Sequence, residues 1–161
     1  MPTGPRLLIE NACYHVITRG HHNQQVFMEE EDYKVYLSRL KKYKQKYRFM
    51  LYAFCLMPNH IHLICHPKDP DDLTKFMQGL NRSYTAYFNK KYNKSGYLWQ
   101  GRFKSKVIVK DNYMIDCLHY IELNPVRANM VKTLQDYDWS SYRERVAGED
   151  MVISIIDNLC I

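Results

Sequence analysis

Two apolar runs, residues 51–57 and 61–65, flank the corner Pro58-Asn59, and they constrain the fold more tightly than any other stretch. Strand formers on both sides of a two-residue turn signal predict a β-hairpin. Side chains on a strand alternate faces. His60 and His62 therefore project from one face, with Ile61 and Leu63 on the other. Two imidazoles one strand repeat apart can hold a metal ion or grip an anion. A polar sheet face can also carry two histidines by chance, and a bare His-x-His does not choose between these.

The remaining elements arrange themselves around this hairpin. Residues 12–18 are rich in β formers and predict strand one. The loop that follows, Arg19-Gly20-His21-His22-Asn23, offers donors suited to phosphate. Its adjacent histidines are expected to point in different directions, which makes them secondary metal candidates. Acids at 29–32 suit the first turn of a helix. Tyr33, Tyr36, Leu37, Leu40, Tyr43 and Tyr47 then recur at helical spacing and predict helix one. Strand two covers 48–57 and strand three 60–66. Asp71 or Asp72 can cap helix two, whose apolar stripe runs Leu73, Phe76, Met77, Leu80, Tyr84, Tyr87 and Phe88. A basic break over 91–96 leads to strand four, 105–110. Asp111 or Asn112 can cap helix three, 113–123, and Pro125 disfavours helical geometry at Asn124, where the helix should end. Residues 138–142 open a short final helix, Gly148 breaks the pattern, and the tail from Met151 is apolar.

The order β-α-β-β-α-β-α predicts an α+β fold with a ferredoxin-like split βαβ antiparallel sheet. Strands one and three become central. Helices one and two cover one face. The extra helix after the last strand is positioned to cross the other face, opposite the histidines. On that helix Tyr120 and Asn124 are four residues apart and share a side. Tyr113 and Asp116 fall on roughly the same stripe. Met114, Leu118 and Ile121 form a separate apolar stripe sufficient for docking, which leaves Tyr120 free for chemistry.

A chain of 161 residues fits one domain, with a core over about 12–142 and a tail over 143–161. Its net charge of +6 is spread along the sequence and favours a polyanion such as nucleic acid as partner. Arg19, His21, His22, Asn23, Arg102, Lys104 and Lys106, with the basic stretch 90–94, are the expected phosphate contacts. Five scattered cysteines without a C-x-x-C pair read as reduced thiols of a cytoplasmic protein. No signal peptide is evident, and no apolar run reaches membrane-spanning length.

Five blocks carry a resemblance. They are Tyr14-His15-Val16-Ile17-Thr18-Arg19-Gly20, Met57-Pro58-Asn59-His60-Ile61-His62-Leu63, Trp99-Gln100-Gly101-Arg102-Phe103, Tyr120-Ile121-Glu122-Leu123-Asn124-Pro125-Val126-Arg127-Ala128 and Trp139-Ser140-Ser141-Tyr142. In this order they resemble the single-tyrosine transposases of the HUH endonuclease superfamily, nearest the branch associated with repetitive extragenic palindromes. The resemblance spans about Cys13 to Tyr142. It implies a DNA transposase that binds a hairpin and cuts an adjacent single strand, leaving a 5′-phosphotyrosine and a free 3′ hydroxyl. It implies Tyr120 as nucleophile and His60 and His62 as metal ligands. Asn124 takes the position of a third ligand, where insertion-sequence relatives often have glutamine. Mixed nitrogen and oxygen donors suit Mn²⁺ or Mg²⁺, with zinc as runner-up. The partners implied are single-stranded or hairpin DNA, with both a monomer and a homodimer open. The alternative is a non-catalytic, palindrome-binding regulatory module on the same fold. Strand three carries histidines where an RNA-stacking sheet would carry its aromatic and basic signature.

Overall fold

The computed structural model describes residues 9–109, 111–147 and 156–157, with the side chains of Asp111, Asn112 and Ala147 not described. The expectations for the first eight residues, Lys110, the helix-three cap, Gly148 and the tail from Met151, apart from Ile156 and Asp157, lie outside the described residues. Four strands, β1 (Cys13–Arg19), β2 (Met50–Met57), β3 (His60–His66) and β4 (Lys104–Ile108), form one antiparallel sheet in the order β2-β3-β1-β4. This is the ferredoxin-like order, with β1 and β3 central. Helices α1 (Glu30–Tyr47) and α2 (Pro70–Tyr92) cover one face. Tyr14, Val16, Phe54, Leu56, Ile61 and Leu63 point into that layer, against Tyr36, Leu40, Phe76, Leu80, Tyr84 and Phe88. Helix α3 (Asp111–Glu122) crosses the other face. Its stripe of Met114, Leu118 and Ile121 packs on Ala53, Cys55, Met57, Ile64 and Ile108. No helix among the described residues is long and apolar enough to cross a membrane.

Local departures from the expected boundaries have simple causes. Arg48 adopts φ of 50° and ends α1 in a left-handed turn, so β2 starts at Met50. The cap of α2 is Asp69, not Asp71 or Asp72. Its side chain accepts from the Asp71 amide at 3.0 Å, and Pro70 takes the first helical position, where no donor is needed. Strand β4 begins one residue early, at Lys104. Helical geometry also persists past Asn124. A short helix α4 (Asn124–Arg127) follows α3 with only Leu123 between them. Pro125 lies in the first turn of α4, where its missing N–H costs nothing.

The outer edge of β2 does not face solvent. The amide of Leu56 donates to the Trp139 carbonyl at 2.8 Å, that of Phe54 to Ser141 Oγ at 3.0 Å, and that of Leu51 to Asp157 Oδ2 at 2.9 Å. The Trp139-Ser140-Ser141 block and Asp157 thus cover this edge. The final helix, α5 (Tyr142–Ala147), starts directly after that block.

Asp32 lies in the first turn of α1, where helix-dipole compensation placed it, yet it is fully buried. Its carboxylate accepts from the Met28 and Glu29 amides, from Tyr87 Oη and Lys91 Nζ at 2.9 Å, and from Tyr92 Oη at 2.5 Å. Burial pushes the Asp32 pKa up, but these donors, Tyr92 first, outweigh it and hold the carboxyl below its usual range. The cluster ties the start of α1 to the end of α2.

Candidate active site

The pleat and the pairing register assemble a histidine cluster on the α3 side of the sheet. Pairing sets Arg19 opposite His60, Ile17 opposite His62 and Cys55 opposite His62. His60 and His62 lie with ring centroids 5.1 Å apart. His15 joins them from β1, its Nε2 at 2.9 Å from His62 Nδ1. His60 Nδ1 lies 2.7 Å from the Asn59 side-chain oxygen, an acceptor, so this nitrogen carries the ring proton and Nε2 keeps its lone pair. The hydrogen bond to His15 orients the His62 ring, and the tautomer in which Nδ1 donates leaves His62 Nε2 free as well.

All three rings are held neutral. Burial lowers the His60 pKa to about 4, with help from Arg19. Burial lowers that of His62 to about 3, with further contributions from His15, His60, Arg127 and Arg19. His15 falls to about 4 through burial and Lys106. An unfolded chain protonates histidine near pH ~6.5. Between pH 6.5 and about 4 the unfolded chain therefore binds protons that the folded chain refuses. Stability should fall as pH drops through this window and stay level above it on account of these residues. Urea midpoints at neutral pH and near pH ~5 check this, and His15→Gln should shrink the difference.

Tyr120 faces the cluster from α3. Its ring centroid is 6.3 Å from that of His62, in an edge-on arrangement, and the residue is 50 % exposed. Arg127, from α4, lays its guanidinium 4.0 Å from the Tyr120 ring centroid. The same group donates to the Tyr120 carbonyl at 2.7 Å and to Asn124 Oδ1 at 3.2 Å, while Asn124 Nδ2 is buried without a partner. The end of α3 is pinned by Glu122, which is buried and accepts from Ser141 Oγ at 2.6 Å and Arg145 Nε at 3.1 Å. Tyr113, Asp116, His15, Lys106 and Tyr120 share the walls of a cavity of about 420 Å³.

The expected phosphate contacts separate into groups. Arg19, Asn23, Arg102 and Lys104 line one cavity of about 380 Å³ at the β1–β4 edge. Lys106 stands two residues further along the same strand face and fronts the Tyr120 cavity instead. A cavity of about 570 Å³ lies between α2 and residues 96–103; Arg102 borders it as well, with Arg82 and the exposed Tyr97. His21 and His22 do not diverge as strand logic requires. They sit in a 3-10 turn, and the φ of 52° at His22 brings their ring centroids to 4.0 Å. Neither lines the cavity at the β1–β4 edge.

Among the described residues no group of three or more His, Cys, Asp or Glu side chains is arranged to hold a metal. By donor type, the Nε2 atoms of His60 and His62 are the ones that could hold a divalent ion. His15, Asn59 and Arg127 went unassigned in the sequence although each lies inside a quoted block. The period-two run His15, Ile17, Arg19 was the available signal for His15, but it needed the β1–β3 register to reach His62.

The sequence matches the family model described as Transposase IS200 like over residues 9–124. A Haemophilus influenzae protein named "Putative REP-associated tyrosine transposase" is 33% identical over 124 residues, 70% of this chain and 69% of that protein. The REP-associated tyrosine transposase of Escherichia coli K12 is 26% identical over 116 residues, 71% of this chain and 67% of that protein. The solved structure of a REP-associated tyrosine transposase bound to a REP hairpin superposes with a TM-score of 0.76 at 20% identity, covering 100% of both chains.

Proposed function

The chain belongs to the family of IS200-like transposases, and on that premise we propose that it cuts and rejoins single-stranded DNA beside a hairpin, with Tyr120 as nucleophile. The observation that carries this reading is the meeting of Tyr120 and His62 across the α3–sheet boundary, at a centroid distance of 6.3 Å. An exposed tyrosine beside neutral histidines, on a helix that docks through other residues, is available for nucleophilic chemistry.

His60 Nε2, His62 Nε2 and Asn124 Oδ1 are the atoms that would hold a divalent ion, Mn²⁺ or Mg²⁺ by donor type. When bound, such an ion neutralises charge on the scissile phosphate and favours the phenolate over the phenol. Asn59 and His15 orient the two imidazoles through their Nδ1 atoms. Tyr120 Oη forms a bond to phosphorus and loses its proton to solvent. The bond from phosphorus to the 3′ oxygen breaks, and that oxygen takes up a proton and leaves as a hydroxyl. The strand beyond stays on Tyr120 as a 5′ phosphodiester. Attack by another 3′ hydroxyl reverses the step without an external energy source.

The metal assignment is tested by substitution. His60→Ala and His62→Ala should each abolish detectable cleavage, because the bound ion supplies several kcal/mol of charge stabilisation, while hairpin binding stays within a few fold. EDTA should act likewise. Cleavage that survives EDTA would sink the assignment. A binding-only regulatory module would retain hairpin affinity and form no adduct under any condition.

Hairpin affinity should depend on salt because Arg19, Arg102, Lys104 and Lys106 line adjacent cavities along the β4 edge. If about five phosphates are neutralised on single strands, log affinity falls with log salt at a slope near about −3.5. A titration from low to high potassium chloride measures it, and a flat response contradicts the basic-edge path.

A further inference from the structure

We propose that Arg127 is a latch that holds the Asn124 side-chain oxygen away from metal until a DNA phosphate draws the guanidinium off. This rests on the transposase reading and extends it to the order in which the site assembles. Arg127 Nη2 donates to two acceptors at once, the Tyr120 carbonyl at 2.7 Å and Asn124 Oδ1 at 3.2 Å. The guanidinium also covers the Tyr120 ring at 4.0 Å. One cation thus occupies the nucleophile's face and the third ligand's oxygen together. A divalent ion cannot share that oxygen without meeting the guanidinium charge.

The surroundings of Asn124 indicate that Arg127 alone sets the amide's orientation. Asn124 Nδ2 is buried with no partner. A stranded donor is costly, so no neighbour rewards this orientation except the arginine. Arg127 is exposed, and its side chain can leave without opening the core. A phosphodiester is the acceptor best able to take it, because the guanidinium fork matches two phosphate oxygens and charge strengthens both bonds. The scissile phosphate must approach Tyr120, where Arg127 already lies. Phosphate arrival then does two things: it uncovers the nucleophile's ring and frees the Asn124 oxygen. Substrate and metal would bind with positive coupling, each tightening the other equally.

The test is Mn²⁺ calorimetry on the full chain without DNA. Arg127→Ala should tighten Mn²⁺ about tenfold, the equivalent of one released charge-assisted hydrogen bond. Arg127→Lys should tighten it less, because the charge remains while the fork is lost. In the Asn124→Ala background, Arg127→Ala should give a clearly smaller gain, since no oxygen is released and only the repulsion that the Arg127 charge exerts at His62 is relieved. Loss of packing would weaken metal binding and cannot produce these gains. In Tyr120→Phe protein, which cuts no strand, a short oligothymidylate should tighten Mn²⁺ by a larger factor with Arg127 present than with Arg127→Ala, where only the direct attraction between phosphate and ion remains. No gain with Arg127→Ala, or a gain equally large in Asn124→Ala, would overturn the latch. Mn²⁺ binding that is untouched by His60→Ala and His62→Ala would instead overturn the underlying metal site.

Discussion

Tyr120→Phe should eliminate strand cleavage and the covalent adduct while leaving the fold intact. The substitution deletes one oxygen from a side chain that is 50 % exposed. Its hydroxyl takes part in none of the hydrogen bonds described for the site, so the expected stability cost is below about 0.5 kcal/mol. The catalytic cost should be of another order. Without the nucleophile no phosphotyrosine forms, and the rate should drop by at least about 10⁴-fold, as when a covalent nucleophile is removed from other enzymes. Tyr113→Phe is the control. It lies two turns earlier, is 60 % exposed and lines the same cavity. It should keep both cleavage and adduct. Denaturing gels with a labelled hairpin strand and mass spectrometry of the adduct peptide read the outcome. Nucleotide found on any other tyrosine, or cleavage retained by Tyr120→Phe, removes the proposed mechanism.

The largest effect on stability is expected at Asp32. Asp32→Ala leaves Lys91, Tyr87, Tyr92 and two backbone amides without their shared acceptor. Breaking a buried, charged network on one side costs roughly 3 kcal/mol or more. For a chain of this length that corresponds to a Tm lower by about 10 °C. Asp32→Asn keeps one acceptor oxygen and should lose less than Asp32→Ala. The folded-state pKa of Asp32 is depressed, so its contribution is present above the ordinary carboxyl pKa of ~3.9 and is lost as pH falls through the lower folded value. Thermal unfolding at neutral pH measures both variants. A Tm change within a degree or two for Asp32→Ala would show that the network contributes little.

What could be read in the sequence was whatever short-range periodicity governs. The facing of His60 and His62 follows from a period of two and needs no partner strand. The docking of α3 through Met114, Leu118 and Ile121 follows from a period of 3.6 and also stands. What could not be read depended on contacts between distant segments. His15 reaches His62 only through a strand pairing across 47 positions. Asp32 is legible in the sequence only as one of four consecutive acids suited to the helix dipole; Tyr87, Lys91 and Tyr92, which hydrogen-bond to its carboxylate, come from the far end of α2. Arg127 was placed beyond a helix end set by Pro125. The chain instead continues into α4, and that extra turn swings the guanidinium back over Tyr120. The proline rule correctly marks an interruption, but a proline in a first turn starts a helix as readily as it stops one.

The covered edge of β2 has a consequence for how the chain is made. Synthesis is vectorial, and the strand emerges long before the residues that seal it. The amides of Leu51, Phe54 and Leu56 acquire their acceptors only when Asp157, Ser141 and Trp139 have followed. Throughout that interval the nascent sheet carries an open, apolar border that can template pairing with a neighbouring chain. A polypeptide interrupted before Trp139 keeps that border permanently. Such fragments should partition into insoluble material, and ribosome-bound intermediates of this length should be the ones most in need of chaperone protection.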